Sequence, residues 1–210
     1  MSGILELLDS PMGKQLIGGI AGQTGKSEDK TADVLSMAMP LLMGAMKKNA
    51  STPQGAEGLM SALNSKHNGS ILDNLGSVFN GGVDQSVMRD GEGILGHLLG
   101  NKQSLVENTL SQKSGLDASS VAEILKIAAP ILMGFLGKQK SQNNLDDANG
   151  LSSLLGSMLG GQPQQNQSLI TSLLDSDGDG SVLDDVADMV LGNTKKKGGL
   201  GGMLGGLFGK

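Results

Sequence analysis

Val121-Ala122-Glu123-Ile124-Leu125-Lys126-Ile127-Ala128-Ala129-Pro130-Ile131-Leu132-Met133-Gly134-Phe135-Leu136 is the stretch whose reading decides the fold. Val121, Ile124, Leu125, Ala128, Ile131, Leu132, Phe135 and Leu136 recur at three- and four-residue steps, the spacing of one helix face. Asp117 stands before the stripe as a natural N-cap. Pro130 sits in mid-stripe, where it removes one helical hydrogen bond and predicts a kink or a restart. No run of β-branched residues alternates at period two anywhere in the chain, so the fold class is all-α.

The same stretch is written twice. Thr31-Ala32-Asp33-Val34-Leu35 through Pro40-Leu41-Leu42-Met43-Gly44 lies over residues 121–134 without a gap, with Gly25 over Gly115 and Ser27 as the earlier N-cap. Further on, Asn64-Ser65-Lys66-His67-Asn68-Gly69-Ser70-Ile71-Leu72-Asp73-Asn74 aligns with Asp175-Ser176-Asp177-Gly178-Asp179-Gly180-Ser181-Val182-Leu183-Asp184-Asp185. The offset is 90 residues for the first match and 111 for the second, so the second copy holds 21 additional residues, from Ser141 to about Gln162. Two copies are too few for a solenoid, and a pseudo-symmetric helical array from an internal duplication is expected. Residues 1–89 form the diverged N-terminal repeat, 90–192 the repeat with the Asp-rich loop, and 193–210 a Lys/Gly-rich flexible tail. The two proline-bent helices are expected to pair in one continuous core, with Gly44 and Gly134 letting their backbones approach at the crossing. Shorter helices are expected at Gly3–Leu8, Met12–Ile20, Ala56–Leu63, Ile71–Phe79, Ile94–Leu99, Gln103–Leu110, Leu151–Leu159, Ser168–Leu174 and Val182–Leu191.

Composition narrows the function. Glycine accounts for 34 of 210 residues without a collagen period, and it falls mostly at the ends of short apolar segments. With three Phe, no Trp and no Tyr, the core must be built from Leu, Ala and an adaptable set of 12 Met. The absence of Cys excludes disulfides, thiolate chemistry and Cys-based zinc sites. The net charge is −5, and the body without Lys195, Lys196, Lys197 and Lys210 sets 12 basic against 21 acidic residues. Such a field repels nucleic acid. The N-terminus lacks the pattern of a secretory signal, and the longest apolar run, Ile127–Met133, is far short of a membrane span. The expectation is a cytoplasmic protein by default, with no transmembrane span.

The Asp loop is the sharpest chemical signal. Asp175, Asp177 and Asp179 occupy the first, third and fifth positions of an EF-hand-like loop, Gly180 the turn position and the Ser181 carbonyl the seventh. Calcium, which takes six to eight oxygens, is the ion such a loop would hold. The far end departs from the pattern: Val186 stands where a bidentate acid belongs, and Asp184 and Asp185 precede it. Affinity on the order of 10⁻⁵ to 10⁻³ M is expected. The earlier copy carries Lys66 at the middle carboxylate position and keeps only the helix-opening box Ser70-Ile71-Leu72-Asp73. A site that weak would stay empty in a calcium-poor cytoplasm, so a working one implies export without a classical signal.

Three other features complete the reading. Asp90-Gly91-Glu92-Gly93 is expected as a helix-start turn, and its Gly-x-Gly lacks the strand and lysine of a nucleotide loop. His67 and His97 have no Ser, Cys or second His at motif spacing, so both read as surface or helix-face residues and no catalytic residue is assigned. In the tail, Leu200, Met203, Leu204, Leu207 and Phe208 recur at three- and four-residue steps behind three lysines. That stripe suits docking on a protein partner or a membrane surface, although its glycines oppose helix formation in water.

Gly91-Glu92-Gly93-Ile94-Leu95-Gly96-His97-Leu98-Leu99-Gly100-Asn101-Lys102-Gln103, together with Ala129-Pro130-Ile131-Leu132-Met133-Gly134, resembles the bacterial YidB-like proteins, domain-of-unknown-function family 937. The resemblance runs from about Asp90 to Leu191 and more faintly over the first copy. It implies a small all-helical bacterial array, often ending in an Asp-Gly loop and a Gly-rich tail, and it implies no activity. The function expected is therefore a non-enzymatic binding or structural role with a weak calcium loop. The alternative is a membrane- or export-associated protein acting through its tail. Met-rich helices also leave self-association open.

Overall fold

Local chemistry starts and stops the helices at nearly every boundary. A computed structural model describes residues 4–160 and 164–174, and the regular elements among them are all helical. The Asp loop from Asp175, the Val182–Leu191 segment and the stripe at Leu200–Phe208 lie outside the described residues. After α1 (Ile4–Asp9), α2 (Pro11–Thr24) opens with the Gly13 amide donating to Ser10 Oγ at 3.1 Å and with Pro11 in the first turn. It ends at Gly25, whose φ of 66° is the left-handed stop that glycine adopts without strain. Ser27 then caps α3 (Glu28–Asn49). The pattern recurs later: α8 (Gln103–Ser114) ends at Gly115 with φ 72°, and Asp117 caps α9 (Ala118–Gln142). Hydrogen bonds from the Ser119 hydroxyl, the Ser120 amide and hydroxyl, and Lys26 Nζ hold the Asp117 carboxyl well below the usual carboxylate range.

Between these pairs run α4 (Pro53–Ser65), two short turns α5 (Ser70–Asp73) and α6 (Leu75–Phe79), and α7 (Gln85–Leu99). A 3₁₀ turn, Gly100–Lys102, joins α7 to α8. After α9 come α10 (Ala148–Leu159) and α11 (Gln164–Leu174). α3 and α9 pack together at the centre. The helices that follow each one pack on the other: α4 and α5 lie on α9, while α10 and α11 lie on α3. α7 runs along α9. Leu41, Leu42, Met43 and Met46 of α3 share one connected apolar core with Ile124, Ile127, Leu132 and Leu136 of α9. The division expected at 89/90 falls inside α7, and this core spans both sides of it.

Neither central proline restarts its helix, and α3 and α9 run unbroken through Pro40 and Pro130. Pro40 cannot donate to the Ser36 carbonyl, and Asn166 Nδ2 of α11 donates to it instead at 3.2 Å. Pro130 likewise frees the Lys126 carbonyl, and α7 presses Gly91 against it so closely that a Cβ there would lie 1.8 Å from the oxygen. The Asp90–Gly93 segment is therefore mid-helix and not a helix start; α7 begins six residues before Gly91, capped by Asp84.

Two further expectations are corrected. Gly44 and Gly134 do not receive each other's helices. A Cβ on Gly44 would meet Ile170 and Leu174 of α11, and one on Gly134 would meet Ile71 of α5, because the long central helices cross elsewhere and leave these notches for the flanking turns. The box at Ser70–Asp73 does not cap: Gly69 stands at the N-cap, Asn68 Oδ1 accepts from the Ser70 amide, and Asp73 pairs with Lys138 at 2.8 Å. Finally, α9 as a whole is long and apolar enough to cross a bilayer, with a mean hydropathy of 1.6 over its best window, whereas the sequence reading counted only its unbroken run. That window is 83% buried inside the fold, so the neighbouring helices solvate it.

Candidate functional site

α4 and α7 each turn a face toward the other across a groove of about 940 Å³. α7 contributes Ser86, Arg89, Asp90, Gly93, Ile94, His97 and Leu98, one face at helical spacing. The α4 side supplies Gly55, Gly58, Leu59 and Ala62, then Lys66 and His67 where the helix has ended. Met133 of α9 lies between the two walls and is buried, as is Leu59. Behind the α7 wall, Gly91, Leu95 and Leu99 are buried, so the helix is packed on one face and lines the groove with the other.

The glycines of the two walls fall into two kinds. A Cβ on Gly55 would lie 2.0 Å from the Asn49 carbonyl oxygen, so close packing requires glycine there. Among the described residues, no atom lies within 4 Å of where a Cβ on Gly58 or Gly93 would stand. Glycine inside a helix costs about 0.8–1 kcal/mol relative to alanine. At Gly58 and Gly93 no packing contact within the fold offsets that cost. What the two residues do is keep the groove wide.

One end of the groove is charged. His67 is only 6% exposed; its amide donates to the Ala62 carbonyl at 2.9 Å, and its own carbonyl sits against Gly137 of α9, where a Cβ would fall 1.8 Å away. Its Nε2 is 3.6 Å from Asp90 Oδ2, too long for a hydrogen bond, while Lys66 Nζ holds the other Asp90 oxygen at 2.6 Å. Burial pushes the His67 imidazole below its ordinary value; the Asp90 carboxylate works against that, and Lys66 adds to it. His97 is exposed on the facing wall. No hydrogen bond joins Ser86 to either histidine among the described residues, and none of them form a cluster of three or more acidic or histidine side chains suited to a metal. The arrangement is an apolar trough with a polar end.

The profile of the bacterial proteins of unknown function DUF937 matches residues 6–139 and 147–210. The chain belongs to this family, the YidB-like proteins. No curated protein and no solved structure matches it. Every wall of the groove lies within the matched span of this YidB-like chain, and the unmatched residues 140–146 fall at the end of α9 and the connection to α10.

The expected site residues of the YidB-like chain divide sharply. Asp175, Asp177, Asp179, Ser181, Asp184 and Asp185, with Leu200, Met203, Leu204, Leu207 and Phe208, lie outside the described residues. His67 and His97, read separately as surface or helix-face residues, line one groove, and His67 is buried in it. Lys66 and Asp90 form the pair that sequence reasoning missed. A signal was present in the spacing Ser86, Arg89-Asp90, Gly93-Ile94, His97-Leu98, which is a continuous helix face once Gly91 and Gly93 are read as helical.

Proposed function

We propose that this chain is a non-enzymatic helical binding protein whose working surface is the groove between α4 and α7. Gly58 and Gly93 carry the reading, as the helix-interior glycines that hold that groove open with no packing reason to be glycine. The chemistry of the groove suits an elongated apolar segment with a polar or charged end. The repeated caps, the shared central prolines and the reciprocal packing of flanking helices support descent from an internal duplication. The EF-hand-like loop at Asp175–Asp185 is, on the spacing of its carboxylates, a weak calcium site that would stiffen the turn after α11.

The test uses the full chain carrying Leu204→Asp and Leu207→Asp, so that its own apolar end does not compete, and the fluorescent probe anilinonaphthalene sulfonate. Saturable probe binding is expected, weakened about tenfold by Gly58→Leu with Gly93→Leu while far-ultraviolet circular dichroism stays unchanged. Equal binding by the open and filled grooves would sink the reading. The lysines and stripe of residues 195–208 favour a second reading, a membrane- or export-associated protein. Equal co-sedimentation of wild type and the Leu204→Asp, Leu207→Asp chain with anionic vesicles would remove it.

A further inference from the structure

The chain itself carries an apolar segment suited to the groove. We infer that the segment Leu200–Phe208 of the same molecule lies in the groove between α4 and α7, so that an outside ligand must displace it. The inference rests on the groove being a binding surface and adds what fills it at rest.

The path of the chain supports this. Leu174, the last described residue, accepts a hydrogen bond on its carbonyl from Lys48 Nζ at 2.5 Å, at the end of α3. It shares a small cavity with Asn49 and Leu98, and both of those residues also line the groove. The chain therefore leaves the described fold beside the groove. Between Leu174 and Leu200 lie 25 residues. A coil of that many residues spans about 25–30 Å, and the 13-residue wall of α4 is only about 20 Å long. A tether of that reach gives an effective concentration on the order of millimolar, so a weak contact suffices to fill the groove.

Chemistry agrees with reach. Leu200, Met203, Leu204, Leu207 and Phe208 offer a bulky apolar stripe to a floor of Leu59 and Met133, and the glycines between them can approach the bare backbone at Gly58 and Gly93.

The chain has no cysteine, which makes the test direct. In the full 210-residue chain, Gly93→Cys paired with Gly205→Cys is oxidised and the rate of intramolecular disulfide closure is followed. The control pair is Gly22→Cys with Gly205→Cys, since Gly22 also faces open space and does not line the groove. Closure at least tenfold faster for the groove pair is expected, and Leu204→Asp with Leu207→Asp should abolish the difference. Equal rates for the two pairs would overturn the inference, as would disulfides formed mainly between molecules, which would make a second copy the occupant. Should the closure experiment fail while probe binding still responds to filling the groove, the binding surface stands and only its resident is wrong.

Discussion

Replacing Gly91 by alanine should destabilise the protein although it improves the helix. Alanine in a helix interior is worth about 0.8–1 kcal/mol over glycine. Against this, the new Cβ would sit 1.8 Å from the Lys126 carbonyl oxygen, 2.6 Å from its carbon and 2.9 Å from the Lys126 Cα. All three are backbone atoms of a buried helix, so no flexible side chain can yield. Restoring an ordinary separation of about 3.5 Å requires α7 to retreat from α9 by roughly 1.7 Å, and the buried Leu95 and Leu99 would retreat with it. Overpacking of this kind costs about 1–3 kcal/mol. Taking the upper end, because the obstacle is backbone, leaves a net loss of about 2 kcal/mol. Gly93→Ala, on the same helix, meets no atom within 4 Å and should gain about 1 kcal/mol. Propensity is common to both variants, so their difference of about 3 kcal/mol isolates the contact with Lys126. Urea unfolding followed by circular dichroism measures it; in melting temperature Gly91→Ala should fall by about 4–8 °C. If Gly91→Ala proved as stable as Gly93→Ala, the close approach of α7 to the carbonyl freed by Pro130 would be wrong.

Other expectations follow from the same structure. Asn166→Ala should cost about 1 kcal/mol by leaving the Ser36 carbonyl unpaired, and almost nothing in a Pro40→Ala background, where the helix supplies its own donor; additive losses in the double-mutant cycle would refute the exchange of partners. Because burial lowers the native pKa of His67, the unfolded chain takes up the proton first. Its contribution is complete above the unfolded value of 6.5, declines as the pH falls from there toward the native value, and is then flat. His67→Gln should remove that part of the pH dependence, and an identical profile would show that His67 is not desolvated. Calorimetric titration with calcium should show weak saturable binding that Asp177→Lys abolishes, lysine being the residue at Lys66 in the stretch that aligns with the loop; flat traces for both would reduce the loop to a turn.

What was legible in the sequence was local. The stripe from Val121 to Leu136 and the caps at Ser27 and Asp117 are all decided by neighbours within four residues, and all are present. Misreadings arose where a distant partner decided the outcome. Asp73 opens no helix because Lys138, 65 residues away, takes its carboxylate. Both prolines lie within continuous helices; Asn166 donates to the carbonyl that Pro40 frees, and Gly91 packs against the one that Pro130 frees. Gly91 and Gly93 looked like a turn because in isolation such residues weaken a helix, and only the packing of α7 on α9 makes that stretch helical. The groove was hidden for the same reason, since its walls come from segments about 35 residues apart in the chain.

The abundance of glycine, which first reads as punctuation, separates on inspection of its surroundings into residues with different consequences. At Gly13, Gly55, Gly91 and Gly137 a Cβ would strike backbone at 2.2 Å or less, so the fold itself demands glycine. At Gly58, Gly93, Gly96 and Gly22 nothing among the described residues stands in the way. Openness alone does not mark a site, for Gly22 and Gly96 do not line the groove. Gly58 and Gly93 differ because they lie on facing walls of one trough. Together they forgo about 2 kcal/mol of helix stability, a large share of the 5–15 kcal/mol typical of a folded domain. The fold recovers none of that by packing at these two positions. A bound segment would recover it, by lying closer to both walls than any side chain there would allow.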